Sequence, residues 1–312
     1  MNKTLSIHIV TYNSGDDIGA CLEAVHRQTY PVHEIIVIDN DSADGTVAEV
    51  KAVQNRFGGR LKLIRNPNNV GFAPAHNQAI QATQTDYVLV LNPDVTLTTE
   101  YTAQLINRME QDKSLGSATG KLLRKDHPDR IDSTGIVMNR ARRAFDRGAG
   151  EPAARWAHSG EVFGVSGAAA LYSRALIQDI SKDGEFFDRS FFAYKEDVDV
   201  AWRAQLLGWR AYYDAQAAAF HGRGWKEGGR QAQPLFIRRL SYINRYKMMF
   251  KNDRFPALAR DCLHILAYEL GSQIYFLFRE PGVLSIWTSF FKEYKDLADK
   301  RRWVQKRYRN NQ

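Results

Sequence analysis

Short apolar runs and amphipathic stretches alternate through the first third of the chain. Residues 5–10 are apolar apart from Ser6 and His8, 34–39 read Glu-Ile-Ile-Val-Ile-Asp, 61–65 form a third run, and 87–91 read Tyr-Val-Leu-Val-Leu. Continuous runs of that length are what strands covered on both faces of a parallel sheet require. Between the first two, Ile18, Cys21, Leu22 and Val25 recur at helical spacing, with Asp16 and Asp17 at the positive end of the helix. Further helices are predicted over 46–53 and 74–83. Strands alternating with helices predict right-handed βαβ units and an α/β fold built on a mostly parallel sheet flanked by helices.

The pattern loosens from residue 116 to 167. An apolar run over 162–172 contains Gly164 and Gly167, which marks either close approach of backbone to a ligand or a bulge. A helix then starts near Glu196, continues to Leu207 and stops at Gly208, and strands are predicted over 209–213 and 217–220. Past Pro234 aromatics, methionines and bases interleave over 235–250; 262–278 is largely apolar but holds His264 and Glu269 and only reaches the minimum length of a membrane span. The expected organisation is a catalytic α/β unit over 1–233, with a nucleotide half of about 1–115 and an acceptor half of about 116–233. A C-terminal helical extension over 234–312 completes it.

Composition sharpens this. At 312 residues, 44% hydrophobic and 25% charged, the chain is that of an ordinary globular protein. Cys21 and Cys262 are too far apart in sequence for a zinc or redox motif and suggest a reducing compartment. The first residues carry no apolar leader, so a cytoplasmic protein is expected. The net charge of +8 is concentrated: 16 Lys/Arg stand against 7 Asp/Glu from Phe236 onward. Such a tail meets something anionic. Either it lies peripherally on the inner face of an anionic membrane, or it packs as a helical domain or oligomer interface with a solvated basic end.

Candidate chemistry gathers at strand ends. Pro93 must terminate the strand over 87–91 and places Asp94 at its C-terminal edge, where open α/β sheets bind ligands. Asn92 and Asp94 offer hard oxygen ligands for Mg²⁺ or Mn²⁺, although Asn-Pro-Asp is also good turn chemistry. No G-x-G-x-x-G comes after the first strand, and Gly116 to Leu122 has the wrong spacing for a phosphate loop. Glu196, Asp197 and Asp199 begin a helix among aromatics, the setting of a sheltered general base, while Arg203 four residues after Asp199 forms an ordinary helix ion pair. His221, at a strand end before a glycine loop, is either structural or completes the site begun by Asp94. Arg140 to Arg143 and Arg147 form a basic loop, read either as a lid over a diphosphate or as solvated surface.

Five segments in order then carry a resemblance. Thr11-Tyr12-Asn13, Ile38 to Thr46, Asn69 to Ala73, Leu91 to Asp94 and Lys195 to Asp199 resemble the family 2 inverting glycosyltransferases of GT-A fold, and more narrowly their bacterial rhamnosyltransferase-like branch, over roughly residues 4–225. The resemblance implies that Thr11, Tyr12, Asn13, Asp39 and Asn40 hold the nucleoside, and that Asn69, Gly71, Phe72, Asn77 and Asn92 line the donor site. Asp94, last residue of the D-x-D motif, binds Mg²⁺ or Mn²⁺ with help from His221. Asn92 replaces the motif's first acid, which weakens the expected hold on the metal. Asp197, second of the Glu196-Asp197 pair, matches the catalytic base, and the acceptor side falls to Gly167, Trp202 and Arg203.

The implied reaction is transfer of a sugar to a saccharide or lipid-linked saccharide, with deoxythymidine-diphosphate rhamnose the first expectation for the donor and uridine-diphosphate sugars the next. Two other classes stay open on the residues alone. A nucleotidyltransferase shares the sheet and metal but needs a glycine-rich basic loop after the first strand. A basic nucleic-acid-binding protein would leave the Glu196-Asp197 pair without a role.

Overall fold

The computed structural model describes residues 3–222 and 233–311. Arg223 and Gly224, part of the predicted glycine loop after His221, lie outside them. The first half alternates as expected: β1 (Leu5–Thr11), α1 (Gly15–His26), β2 (Glu34–Asp39), α2 (Thr46–Gln54), β3 (Leu61–Arg65), α3 (Phe72–Gln81) and β4 (Tyr87–Leu91). Then come β5 (Val95–Leu97), α4 (Tyr101–Gln111), β6 (Leu115–Arg124), β7 (Ile131–Ser133), the small hairpin β8 (Ile136–Met138) and β9 (Ala144–Asp146), β10 (Gly160–Val162), β11 (Ala169–Ser173), α5 (Arg174–Ile180), α6 (Glu196–Leu206) and β12 (Arg210–His221). Four helices complete the described residues: α7 (Leu235–Asn252), α8 (Phe255–Arg279), the single turn α9 (Pro281–Leu284) and α10 (Trp287–Asn310).

The main sheet runs β3-β2-β1-β4-β11-β6-β12-β10, with β5 on β12 and β7 on β6. Because β1 pairs parallel with β2 and β4, and β12 parallel with β6, the strands β1, β2, β3, β4, β6 and β12 share one direction. The reversed β11 sits between β4 and β6. Side-chain alternation explains the unbroken apolar runs. Leu89 and Leu91 of β4 enter the core beneath α1 and α4, while Val88 and Val90 enter the one beneath α3, α5 and α6. Each buried aliphatic side chain there stabilises by about 1.5–3 kcal/mol.

Two expected elements differ from the sequence pattern. The strands predicted over 209–213 and 217–220 are one strand, β12, whose register against β6 shifts between Asp214 and Ala218. The irregularity brings the Ala217 carbonyl so close to Gly120 that a Cβ there would lie 2.3 Å from it. The apolar run over 162–172 contains the end of β10 and the start of β11, and its intervening loop carries Gly164 and Gly167.

The C-terminal helices share a core of Tyr242, Ile243, Phe276, Phe290 and Leu297. They are also bolted to the α/β part by buried charges. Lys251 Nζ lies 2.6 Å from Asp188 and 2.7 Å from Asp199, and Lys300 Nζ is 2.7 Å from Asp188. No helix among the described residues is long and apolar enough to cross a membrane.

Candidate active site

Parallel register lines up the strand ends: Thr11 lies opposite Asp39, and Asp39 opposite Arg65. Thr11 donates its hydroxyl to Asp39 Oδ1 at 3.1 Å, and Ser42 N donates to Asp39 Oδ2 at 3.2 Å. The loop after β1 is clipped to the loop after β2, since Asn13 N donates to Ser42 Oγ and Asn13 Oδ1 accepts from Ala43 N, both at 2.9 Å. Asn13 holds a left-handed backbone at φ 50°. Tyr12, half exposed at 53%, is left as an open aromatic ring at the sheet edge.

Not every residue expected to line the donor site faces outward. Asn40 is buried, its amide donating to the Gly71 carbonyl at 3.2 Å and its Oδ1 accepting from Asn66 at 2.8 Å. Asn77 is buried too, exchanging two hydrogen bonds with the backbone of Phe187, at 2.7 and 3.0 Å. Both amides are used up as cross-links that hold loops together. Asn69 turns its own loop by accepting from Gly71 N at 2.9 Å. Gly71 has φ +93°, and a Cβ on it would stand 2.6 Å from the ring of Phe192, so glycine is needed on both counts.

The register of β5 on β12 sets Val95 opposite His221, which carries Asp94 to the same place. Asp94 Oδ1 is 3.3 Å from His221 Nε2, and His221 Nδ1 is 2.8 Å from Asp132 Oδ2. Burial alone would lower the His221 pKa, but hydrogen bonds to Asp132 and Asp94 outweigh it and raise it to about 9. Asn92 contributes its backbone, the carbonyl accepting from the Cys21 thiol at 3.6 Å. A cleft of about 590 Å³ opens beside His221, lined among others by Asp17, Lys125, Asp132 and Gly150. Among the described residues no cluster of three or more His, Cys, Asp or Glu is arranged to hold a metal. Asp94 offers an oxygen and His221 a nitrogen at one place, and the imidazole must give up its second proton before Nε2 is free for an ion, with Asp132 orienting the ring from behind.

The second centre forms where α6 begins. Asp197 Oδ2 accepts from Gly167 N at 3.1 Å. Burial raises the Asp197 pKa above the usual carboxylate range, partly offset by that hydrogen bond. Glu196 is buried beside it. Burial, then the Asp197 charge, push its pKa up to about 8, and its Oε2 has no hydrogen-bond partner among the described residues. Burial favours the neutral form of both carboxyls, and the Gly167 N–H favours the charged form of Asp197 alone, so the two neighbours stand in different settings. The approach to α6 is strained, for Phe192, Tyr194 and Lys195 all have positive φ, at 54°, 72° and 69°. Each such residue costs about 1–3 kcal/mol, and strain of this kind collects at functional sites.

Trp202 and Arg203, expected on the acceptor side, lie inside. Trp202 packs with Ile136, Phe191, Val198 and Met248. Arg203 is 2.9 Å from Asp199 and donates to the carbonyls of Ile180 and Phe186, both at 2.6 Å. Helical periodicity gave them away only in part: the i,i+4 ion pair with Asp199 is present, but it is buried. Gly167 holds Asp197 through its N–H. The basic loop is no free lid either. Arg142 is 2.6 Å from Asp253 and 2.9 Å from Asp261, and the carbonyls of Ala141 and Arg142 accept from Arg245. Sequence reasoning missed Asp132, which sits in β7, a strand of three residues with no motif, and the inward-facing polar residues of α7.

A mostly parallel α/β sheet with acidic groups at its C-terminal edge and a sheltered carboxylate across from them defines a sugar-nucleotide transferase fold of GT-A type. The family model described as glycosyl transferase family 2 matches residues 6–181, and the chain belongs to that family. A poly-beta-1,6-N-acetyl-D-glucosamine synthase of Staphylococcus aureus (strain MSSA476) is 25% identical over 232 residues, covering 72% of this chain and 53% of its own. The chain thus spans about half the length of the curated relatives it matches. Among solved structures, a mannosyltransferase of Pyrobaculum calidifontis in complex with GDP-Man and Mn²⁺ superposes with a TM-score of 0.59 at 15% identity, covering 100% of this chain and 86% of that one. Staphylococcus aureus TarS in complex with UDP-GlcNAc gives 0.58 at 17% identity, covering 99% and 92%. These likenesses show the fold. Family membership sets aside the nucleotidyltransferase and the nucleic-acid-binding protein as readings of this fold.

Proposed function

We propose that the chain is an inverting glycosyltransferase that takes a sugar from a nucleoside-diphosphate donor and places it on a saccharide acceptor in cell-surface polysaccharide synthesis. The observation that carries this reading is the carboxylate of Asp197, oriented by the Gly167 N–H at the start of α6, raised in basicity by burial and set beside buried Glu196. Asp197 takes the proton of the acceptor hydroxyl as that oxygen attacks the anomeric carbon opposite the leaving diphosphate. A single displacement inverts the centre. Thr11, Tyr12, Asn13 and Asp39 hold the nucleoside, and Asn69 to Phe72 wall the sugar. Asp94 and His221 would hold Mg²⁺ or Mn²⁺, which supplies charge neutralisation at the leaving diphosphate. The Mn²⁺ in the mannosyltransferase structure supports a divalent ion.

For the sugar, the rhamnosyltransferase-like motifs favour deoxythymidine-diphosphate rhamnose. A UDP-sugar is the second reading, supported by the N-acetylglucosamine polymer in the relatives' name and the UDP-GlcNAc held by TarS. Calorimetric titration with dTDP, UDP and GDP, each with and without Mn²⁺, tests both. Metal-strengthened binding of one diphosphate identifies the base, and binding of none rejects the donor site. Asp197→Asn should lower turnover by at least about 10³-fold with nucleotide affinity nearly intact; sustained turnover would remove Asp197 as the base.

The acceptor in this reading is lipid-linked and the enzyme works peripherally at the cytoplasmic face of the membrane. Support comes from α8, which exposes Leu263, Leu266, Leu270, Ile274, Leu277 and Phe278. Its two acids face inward: Asp261 pairs with Arg140 and Arg142, and Glu269 with Arg245. Exposed Arg260 and Arg279 remain on the outside, so the surface is apolar and cationic together.

A further inference from the structure

Among the described residues, α7 presents three polar side chains to one segment, at the i, i+3, i+7 spacing of a single helix face: Asn244, Lys247 and Lys251. Lys251 reaches Asp188, Lys247 donates to the Ser190 carbonyl at 2.6 Å, and Asn244 reaches the stretch that leads into α6. Asn244 is fully buried, and its amide nitrogen lies 2.9, 2.9 and 2.8 Å from the carbonyls of Phe191, Ala193 and Tyr194. An amide nitrogen has two protons. Three carbonyls converge on them, all from one segment whose backbone is held in left-handed turns.

We propose that Asn244 is a positioning residue of the transfer reaction. It fixes the left-handed turn over Phe192, Tyr194 and Lys195, and thereby aims the Asp197 carboxylate; this rests on the reading of Asp197 as the base. The chain of contact is short. Lys195 is the residue from which α6 starts, Asp197 belongs to the first turn of that helix, and Gly167 grips the carboxylate from the opposite side. The same turn also sets the donor wall, because the Phe192 carbonyl accepts from Ala73 N at 3.2 Å and the Phe192 ring fills the space that Gly71 leaves open. Releasing the three carbonyls lets the segment relax toward ordinary φ values, which turns the start of α6 and swings the base away from the attacking hydroxyl.

The test compares full-length Asn244→Ala and the isosteric Asn244→Asp with Tyr242→Phe. Tyr242 lies on the same helix as Asn244, and its variant removes hydrogen bonds to Gln273 of α8 and Trp287 of α10 without touching the turn. Hydrogen exchange of residues 190–197 is read first, and needs no substrate. Both Asn244 variants should exchange there roughly tenfold faster than wild type, and Tyr242→Phe should not. Turnover is then read with UDP-N-acetylglucosamine and with dTDP-rhamnose. The expected result is a kcat about 100-fold lower, with a smaller rise in the donor KM through the shared donor wall.

Unchanged exchange in both Asn244 variants overturns the proposal. So does wild-type kcat, or a loss no larger than that of Tyr242→Phe. Asp197→Asn separates this idea from the one beneath it. Turnover that survives Asp197→Asn removes the base and with it anything to aim, whereas turnover lost there but kept in Asn244→Ala removes the clamp alone.

Discussion

Among single residues, the buried acids and the buried imidazole carry the clearest expectations. Glu196 has a folded pKa of about 8 against an ordinary value of 4.5. A raised carboxyl pKa means that the folded state binds the proton more tightly than the unfolded state. Its contribution to stability is therefore full below about pH 4.5 and is lost as pH rises through about 8. Melting temperatures measured between those limits should fall with pH less steeply in Glu196→Gln than in wild type. Asp132→Asn should weaken the hold on a divalent ion, because Asp132 orients His221; the Mn²⁺ concentration for half-maximal activity is expected to rise about 10- to 100-fold. The positions of Asp94, His221 and Asp197 at strand ends and a helix start were legible because such boundaries announce themselves in sequence. Asn40 and Asn77 were misread for a simple reason. An amide that cross-links two loops and an amide that faces a ligand look alike until the partner backbone is known.

The elements read from sequence were those with a strong period. β1, β2, β3 and β4 are continuous apolar runs because helices cover both faces, and that demand shows in any window of five residues. Strands of three residues, β5, β7, β8, β9 and β10, have no period to detect. The reversed direction of β11 was equally silent, since direction depends on which neighbours pair with it. The tail helices were legible as helices, but their roles were not: Asn244, Lys247 and Lys251 look like the solvated stripe of an amphipathic helix, yet they point inward. For α8 the exposed stripe predicts its own experiment. Leu266→Glu with Leu270→Glu should abolish co-sedimentation with vesicles containing anionic lipid while leaving the melting temperature nearly unchanged, because both side chains are more than half exposed. Unaltered sedimentation would assign the stripe another partner.

On the scale of the molecule, the helical extension is held to the α/β part by the charges it neutralises. Asp188 takes Lys251 and Lys300, and Asp199 takes Lys251, Arg203 and the Asn252 amide. Leaving a buried charge uncompensated costs about 3–5 kcal/mol; Lys300→Met leaves Asp188 with Lys251 and should lower stability by less than that in urea unfolding, and adding Lys251→Met should bring the full loss. Cutting the chain after Gln233 should lower the unfolding midpoint, because Asp188 loses both of its lysines and Asp199 loses Lys251, and not merely take away an anchor. There is a consequence for biosynthesis. Asp188 and Lys300 lie 112 positions apart in the chain, and Asn244 comes after the whole sheet. On the ribosome the sheet can assemble early, as N-terminal parts do. The turn that aims the base then has no clamp until α7 emerges, and the charge beneath it has only one of its two lysines until residue 300 is made. If Asn244 clamps the base as proposed, the nascent chain has the pieces of a donor site before it has a working catalyst, and reactivity waits until nearly all of the described residues have been translated.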